Sequence, residues 1–388
     1  MKKLVLSIAL LSMIFTGCSS DDENNGAQEP QEGVITGSIT SNTAYAFGNY
    51  DLQGIVRVKT GVTLTFDAGS TITANVTDGV DALVVEKGGR LIINGTSSEP
   101  VVFTEVSQTA GSWGGILIYG DAPIVGAGGL TTKTSEDGLA LEYGGTNPTH
   151  NGGALRFVRV EYAGKKITDG TSEMNGFSFY SVGSGTVLEN LVSYKGADDG
   201  FEFYGGTVSG TNLISYGNFD DSFDWQDGWR GENNTNWYAY QTGTGNFGME
   251  IEASNNNNAF WPTISNITLI RAAGTQTEGG SSAAEHDAIQ FKKQGNGNFT
   301  NVVITGYTTT GATAVRIQDP GTNSDQVNGG KIKVNNVKIN SGTSPFAPAG
   351  VDFTVGFPAG TWSESASATG STISGGAWST VNGTNLLQ

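Results

Sequence analysis

The stretch LENLVSYKGADDGFEFYGG at residues 188–206 is written a second time as GTNLISYGNFDDSFDWQDG at residues 210–228. Asn190 recurs as Asn212, Tyr194 as Tyr216, Asp198 and Asp199 as Asp220 and Asp221, and Phe201-Glu202-Phe203 as Phe223-Asp224-Trp225, always at an offset of 22 residues. A fixed period of about twenty to fifty residues, in copies too small to bury their own apolar faces, is the signature of a solenoid. In a parallel stack, equivalent residues of successive coils lie about 4.8 Å apart. The spacing therefore predicts Phe201 on Phe223 and Phe203 on Trp225, an inward ladder of aromatic contacts.

The rest of the chain reads as further coils. Short alternating runs such as Gly54–Val58, Val62–Phe66, Ala82–Glu86 and Arg90–Ile93 are bounded by Gly, Asp, Asn or Thr, the pattern of strands rather than helices. Pairs such as Ala68-Gly69 and Gly88-Gly89 between them leave no room for crossover helices. Asn190, Asn212, Asn266, Asn301 and Asn336 each precede a β-rich run. Asparagine tolerates turn conformations and bonds neighbouring main chain, so it marks one corner of the coil. The composition, with 58 glycines and 9 prolines, fits an all-β chain. The expectation is an all-β parallel β-helix with coils of about 22 residues or longer, enlarged by loop insertions. A length of 388 residues would ordinarily suggest two domains, but a solenoid core extends along an axis, so residues 34–388 read as one domain. Residues 126–153 lack periodicity and read as a long loop, and residues 341–388 as a C-terminal cap.

The first 17 residues carry Lys2, Lys3 and an apolar run from Leu4 to Phe15. That run is shorter than the roughly 20 residues needed to span a bilayer, so it reads as a cleaved export signal. Phe15-Thr16-Gly17-Cys18 resembles a bacterial lipobox, and Cys18, the chain's only cysteine, has no internal disulfide partner and reads as the point of lipid attachment. Residues 18–33, beginning Cys-Ser-Ser-Asp-Asp-Glu, read as a flexible acidic tether. Acidic residues after a lipidated cysteine resemble the surface-export signal of Bacteroidetes lipoproteins, which implies the outer face of the outer membrane. Without residues 1–17 the net charge falls from −17 to about −19, which disfavours nucleic acid as a partner.

The segments WGGILIYGDAPI (113–124), GALRFVRVEYAG (153–164) and GADDGFEFYGGTV (196–208) resemble a family of right-handed β-helix lipoproteins of Bacteroidetes, placed with the pectin-lyase-like superfamily. The resemblance spans about residues 34–340 and implies a right-handed coil. It implies no activity.

Stacking of the repeat brings Asp198, Asp199, Asp220 and Asp221 together. Two like charges about 5 Å apart repel by under about 1 kcal/mol in water and about 3 kcal/mol at an effective dielectric of 20. A sheltered ladder therefore needs a cation or shared protons, and calcium, with six to eight oxygen ligands in irregular geometry, is the natural candidate. Alternatively the aspartates bond turn amides, or act as paired carboxylates in polysaccharide hydrolysis. The histidine and Arg-x-Lys motifs of hydrolases with this fold are absent, His150 and His286 being the only histidines. A lyase would need a basic residue, for which Lys195 and Arg230 are the nearest cations in sequence. Glu202, Asp224 and Asp227 enlarge the acidic field, and Trp229, Arg230 and Trp237 lie beside it in sequence. Trp229, in Asp227-Gly228-Trp229-Arg230-Gly231, reads as exposed and suited to stack on a sugar, with core packing the alternative. Glu250 and Glu252 read as a solvated strand face. No phosphate loop, zinc spacing or Ser-His-Asp set is present. The leading expectation is a lipid-anchored surface protein that binds glycan or another envelope component. A calcium-dependent polysaccharide lyase or hydrolase, and an accessory subunit of an outer-membrane assembly, are the alternatives.

Overall fold

The computed structural model describes residues 29–75, 79–167, 172–278, 285–340, 342–346 and 356–388. The signal segment, Cys18 and most of the acidic tether lie outside these residues. The first strand is Gln31–Ile39, so the regular stack begins inside the stretch read as tether.

The chain is a right-handed parallel β-helix. Its strands pair with their counterparts in the coils before and after, in parallel and in the register that the repeat dictates. Phe201 faces Phe223, Glu202 faces Asp224 and Phe203 faces Trp225, while Leu191 faces Leu213 and Tyr194 faces Tyr216. Two kinds of strand alternate in the second half. Short ones, Phe177–Tyr180, Phe201–Tyr204, Phe223–Gln226, Met249–Ile251 and Ile289–Phe291, form one flat face. Long ones, among them Val187–Tyr194, Gly210–Tyr216, Asn234–Gln241 and Thr263–Arg271, bend midway and supply the other two faces.

The bend sits where the asparagines are. Asn190, Asn212, Asn266, Asn301 and Asn336 all hold a left-handed backbone, with φ between 57° and 61° except Asn212 at 56°, a region that asparagine enters at less cost than most residues. The amide of Asn212 donates to Asn190 at 2.7 Å, and that of Asn301 to Asn266 at 2.7 Å. Asn236, with φ 57°, belongs to the same ladder and donates to Asn212 at 3.0 Å. One coil further back the position is held by Phe157, with φ 52°.

The core is the interior of the coil. Phe177, Phe201 and Phe223 stack at 5.0 and 5.5 Å. Phe203 pairs through its backbone with Trp225, but its ring lies on Trp229 at 4.5 Å and Trp237 at 5.7 Å. The expectation of an exposed Trp229 is thus wrong: it is 1% exposed. Its indole Nε1 donates to the carbonyl of Val208 at 3.0 Å, which satisfies the one polar group of the ring and lets the turn drive it inward. Trp237 is fully buried beside it.

The segment 126–153 is an ordered excursion. It contains a hairpin of Lys133–Thr134 with Glu142–Tyr143 and lies over the short-strand face. Buried Asp227 pins it there, accepting from Tyr143 at 2.6 Å, Lys133 at 2.8 Å and Ser254 at 2.7 Å. After Trp362–Glu364, which adds a last rung, the chain turns back along the asparagine corner. The amide of Thr369 donates to Asn301 at 2.8 Å and that of Ser371 to Thr268 at 2.9 Å. Buried Trp378 meets Phe157 at 5.8 Å, and the amide of Gln388 donates to the Tyr238 hydroxyl at 2.9 Å. Of the stretch read as an end cap, residues 344–346 and 362–364 add rungs, and residues 369–388 form a strap along the side of the stack.

Candidate functional site

On the short strands, residues alternate between the core and the outer face, as the period of two requires. The middle residue of each points outward, so Ser178, Glu202, Asp224, Glu250 and Gln290 form one ladder across five coils. The turns that lead into these strands carry the aspartate pairs at 198–199 and 220–221. Turn and ladder together line a cleft of about 320 Å³, closed on one side by Glu136 of the excursion and by Glu173. Ten carboxylates line it: Glu136, Glu173, Asp198, Asp199, Glu202, Asp220, Asp221, Asp224, Glu250 and Glu252. Two cations, Lys292 and Lys293, line it with them, and Lys166 pairs with Glu173 at 2.9 Å.

The carboxylates are sheltered. Asp198, Asp199, Glu202 and Asp221 are 3%, 7%, 5% and 3% exposed. Part of their demand is met by protein donors. Asp199 accepts from the Asp221 amide at 2.8 Å, and Asp221 from the Phe247 amide at 2.6 Å. Glu202 accepts from Asn175 at 2.6 Å, from Gln226 at 3.1 Å and from the Tyr204 hydroxyl. Asn246 donates to Asp220, and Lys292 pairs with Glu250. Lys293 pairs with Glu252 at 2.6 Å. Among the described residues, one buried oxygen of Asp224, Oδ1, has no partner, and neither does Oε1 of Gln290 on the next rung but one.

This shelter decides the electrostatics. Burial first, then the charge of Glu136, pushes the Glu202 carboxyl up to about 8. Burial and Glu278 push Asp220 up to about 7. Asp198, Asp199, Asp221 and Asp224 are raised well above the usual carboxylate range by burial, and next by Glu173, Asp221, Asp220 and Glu202 respectively. Burial alone would lower Lys292, but Glu250 and Asp224 outweigh it and hold the ammonium protonated. Left to itself the cleft keeps protons at neutral pH.

Four overlapping triads bring one oxygen from each residue within 4.8 Å of the others: Glu173, Asp198 and Asp220; Asp199, Asp220 and Asp221; Asp199, Glu202 and Asp224; and Asp221, Asp224 and Glu250. Oxygens on opposite sides of a calcium ion at about 2.4 Å stand about 4.8 Å apart. The triads therefore match a hard cation that accepts irregular oxygen shells.

All four repeated aspartates, with Glu202 and Asp224, come together here. The other residues singled out in the sequence do not. Asp227 faces away and is neutralised by Lys133. Trp229 and Trp237 are core, and Arg230 lines a different groove. Lys195 stands over the Tyr194 ring at 5.2 Å, and the cations that reach the cleft are Lys292, Lys293 and, through its ion pair with Glu173 at 2.9 Å, Lys166. Glu250, read as part of a solvated face, is a rung of the acidic ladder. The signal for it was present: Phe-Glu-Phe, Phe-Asp-Trp, Met-Glu-Ile and Ile-Gln-Phe are one apolar-polar-apolar triplet at successive coils. Insertions between coils hid that register. Glu136 and Glu173 left no comparable trace, since each reaches the cleft from outside the ladder.

The family described as pectate-lyase like beta helix domain matches residues 37–379. No curated protein and no solved structure matches the chain.

Proposed function

The chain belongs to the pectate-lyase-like β-helix family, and from that premise we propose that it is a calcium-dependent glycan-binding protein, the acidic cleft holding the cation. The observation that carries this reading is the set of carboxylate triads whose oxygens lie within 4.8 Å of one another in a sheltered cleft. Such a group is repulsive by several kcal/mol at an effective dielectric of 20, and a divalent cation replaces the protons it otherwise retains. Oligosaccharide hydroxyls and carboxylates complete calcium shells readily, being oxygen donors. The cleft has almost no apolar lining, which favours recognition through an ion over stacking on aromatic rings. Isothermal titration of the chain with calcium tests this directly. Heat of binding and a raised melting temperature are expected, and a protein whose melting temperature ignores both calcium and chelator sinks the reading.

One observation favours a second reading. Glu202, held at about 8, is a protonated carboxyl among carboxylates, as a general acid for glycosidic bond cleavage must be. Lys292 is held protonated by its neighbours and is poorly placed as a lyase base. Release of reducing ends from neutral or acidic polysaccharides, lost in Glu202→Gln, would establish hydrolysis in place of binding alone.

We also propose that the protein is anchored by a lipid on Cys18 at the outer face of the outer membrane, on the strength of the Phe15–Cys18 lipobox and the acidic residues after it. Mass spectrometry of the cell-derived protein should show a diacylated or triacylated Cys18. Recovery of Cys18→Ser in the membrane fraction in unchanged amount would refute anchoring there.

A further inference from the structure

A second groove, larger than the acidic cleft at about 510 Å³ and sharing no residue with it, runs along the first halves of the long strands. Arg230 and Glu232 both line it. Arg230 is half-buried, and its guanidinium lies 3.8 Å from the centre of the Phe260 ring. Its side chain makes no hydrogen bond or ion pair among the described residues, and its Nε is buried without a partner. Burial lowers the proton affinity of the group, and no neighbouring carboxylate offsets that. Glu232, two residues on, is exposed and likewise pairs with no cation among the described residues. Opposite charges so close in sequence would ordinarily meet; here the guanidinium lies on the Phe260 ring instead.

The other polar groups of the groove are largely provided for. Glu189 is paired with Arg156 at 3.0 Å. The hydroxyls of Ser184 and Thr207 both donate to the carbonyl of Pro148. Ser209 accepts from the Asn233 amide at 3.0 Å, which leaves its own proton to give. One cation and one anion in the same groove, neither with a partner, are the complement of a molecule that carries both charges. Such a ligand has no net charge, so a chain of net charge −17 does not repel it as it would an anion. In a free amino acid the two charges flank a single carbon, whereas Arg230 and Glu232 stand too far apart to pair. A short peptide separates its charges by a length of backbone, whose carbonyls suit the Ser209 hydroxyl. We propose that this groove binds short unblocked peptides, the terminal carboxylate seated on Arg230 and the terminal ammonium on Glu232. A guanidinium fork takes a carboxylate in two-point fashion, and capture of chain termini is a recurring mode of peptide recognition. The site is separate from the acidic cleft and goes beyond the reading given to it.

The test is calorimetry of the full chain with trialanine, beside trialanine amide, which lacks the carboxylate, and N-acetyltrialanine, which lacks the ammonium. Trialanine should bind, and each blocked peptide should bind at least about tenfold more weakly, the loss of one charge-assisted contact. These comparisons need no altered protein. Arg230→Gln should weaken trialanine to the level of its amide, and Glu232→Gln to the level of the acetylated peptide, with melting temperatures measured alongside. No binding of trialanine, equal affinity for trialanine and either blocked form, or unchanged affinity in folded Arg230→Gln would overturn the proposal. Alanine binding as tightly as trialanine would overturn the assignment to a peptide.

Discussion

The carboxylate of Asp199 accepts the backbone amide of Asp221, one coil on, at 2.8 Å, and Asp221 passes the same bond to the amide of Phe247 at 2.6 Å. Each aspartate is thus both a structural rung and an oxygen of the cleft, and the two roles separate by substitution. Asp221→Asn keeps an acceptor for Phe247 and should retain its melting temperature within a few degrees while losing calcium affinity. Asp221→Ala leaves a buried amide unpaired and should cost about 1–3 kcal/mol. Equal calcium titrations for Asp221→Asn and the unaltered protein would remove this residue from the cation site.

The raised carboxyls fix the sign of the pH dependence. Glu202 at about 8 and Asp220 at about 7 bind protons more tightly folded than unfolded, where carboxyls titrate near 4. The folded chain therefore holds more protons between about pH 4 and pH 8, and stability falls as pH rises through that window. Calcium replaces the protons and should flatten the slope. Thermal melts in chelator at pH 5 and pH 8 should show the higher midpoint at pH 5, with the gap closing in millimolar calcium.

Trp229 is a core residue, and its removal should act on stability rather than on ligands. Trp229→Ala leaves a cavity among Phe203, Trp225 and Trp237 and should destabilise by about 3–5 kcal/mol in denaturant unfolding. A loss of glycan binding in this variant reports unfolding unless the folded fraction is measured alongside.

The asparagine corner predicts an unusual order of tolerance. At Asn212, with φ 56° and bonds to Asn190 and Asn236, alanine loses the ladder and strains the backbone. Glycine loses only the ladder. Asn212→Ala should therefore cost about 1–3 kcal/mol more than the unaltered protein, and Asn212→Gly less, by equilibrium unfolding. An alanine variant as stable as the glycine variant would show that the left-handed bend is not enforced.

The coil, its period and its asparagine corner were legible because a solenoid repeats every positional demand at the same phase. Asn212 must do what Asn190 does. The gathering of Asp198, Asp199, Asp220 and Asp221 was legible for the same reason. What stayed hidden depended on distances the repeat does not encode. Trp229 lies in a turn, and only the hydrogen bond to Val208 and the width of the interior decide that its ring turns inward. Glu250, Lys292 and Lys293 belong to later coils, whose insertions obscure the phase. Asn236, 24 residues after Asn212, also precedes a β-rich run, Trp-Tyr-Ala-Tyr, and belongs with the others.

The strap that returns along the asparagine corner also settles where force enters the molecule. Within it, Gln388 rests on Tyr238 in the middle of the stack, not on the last coil. A pull applied at Gln388 meets the strap first, breaking its contacts to Tyr238, Phe157 and Asn301 a few at a time, before any load reaches the rung at Trp362. The outermost coils, which in an unbraced spring would be the first to unwind, are shielded by a tie that yields before they do.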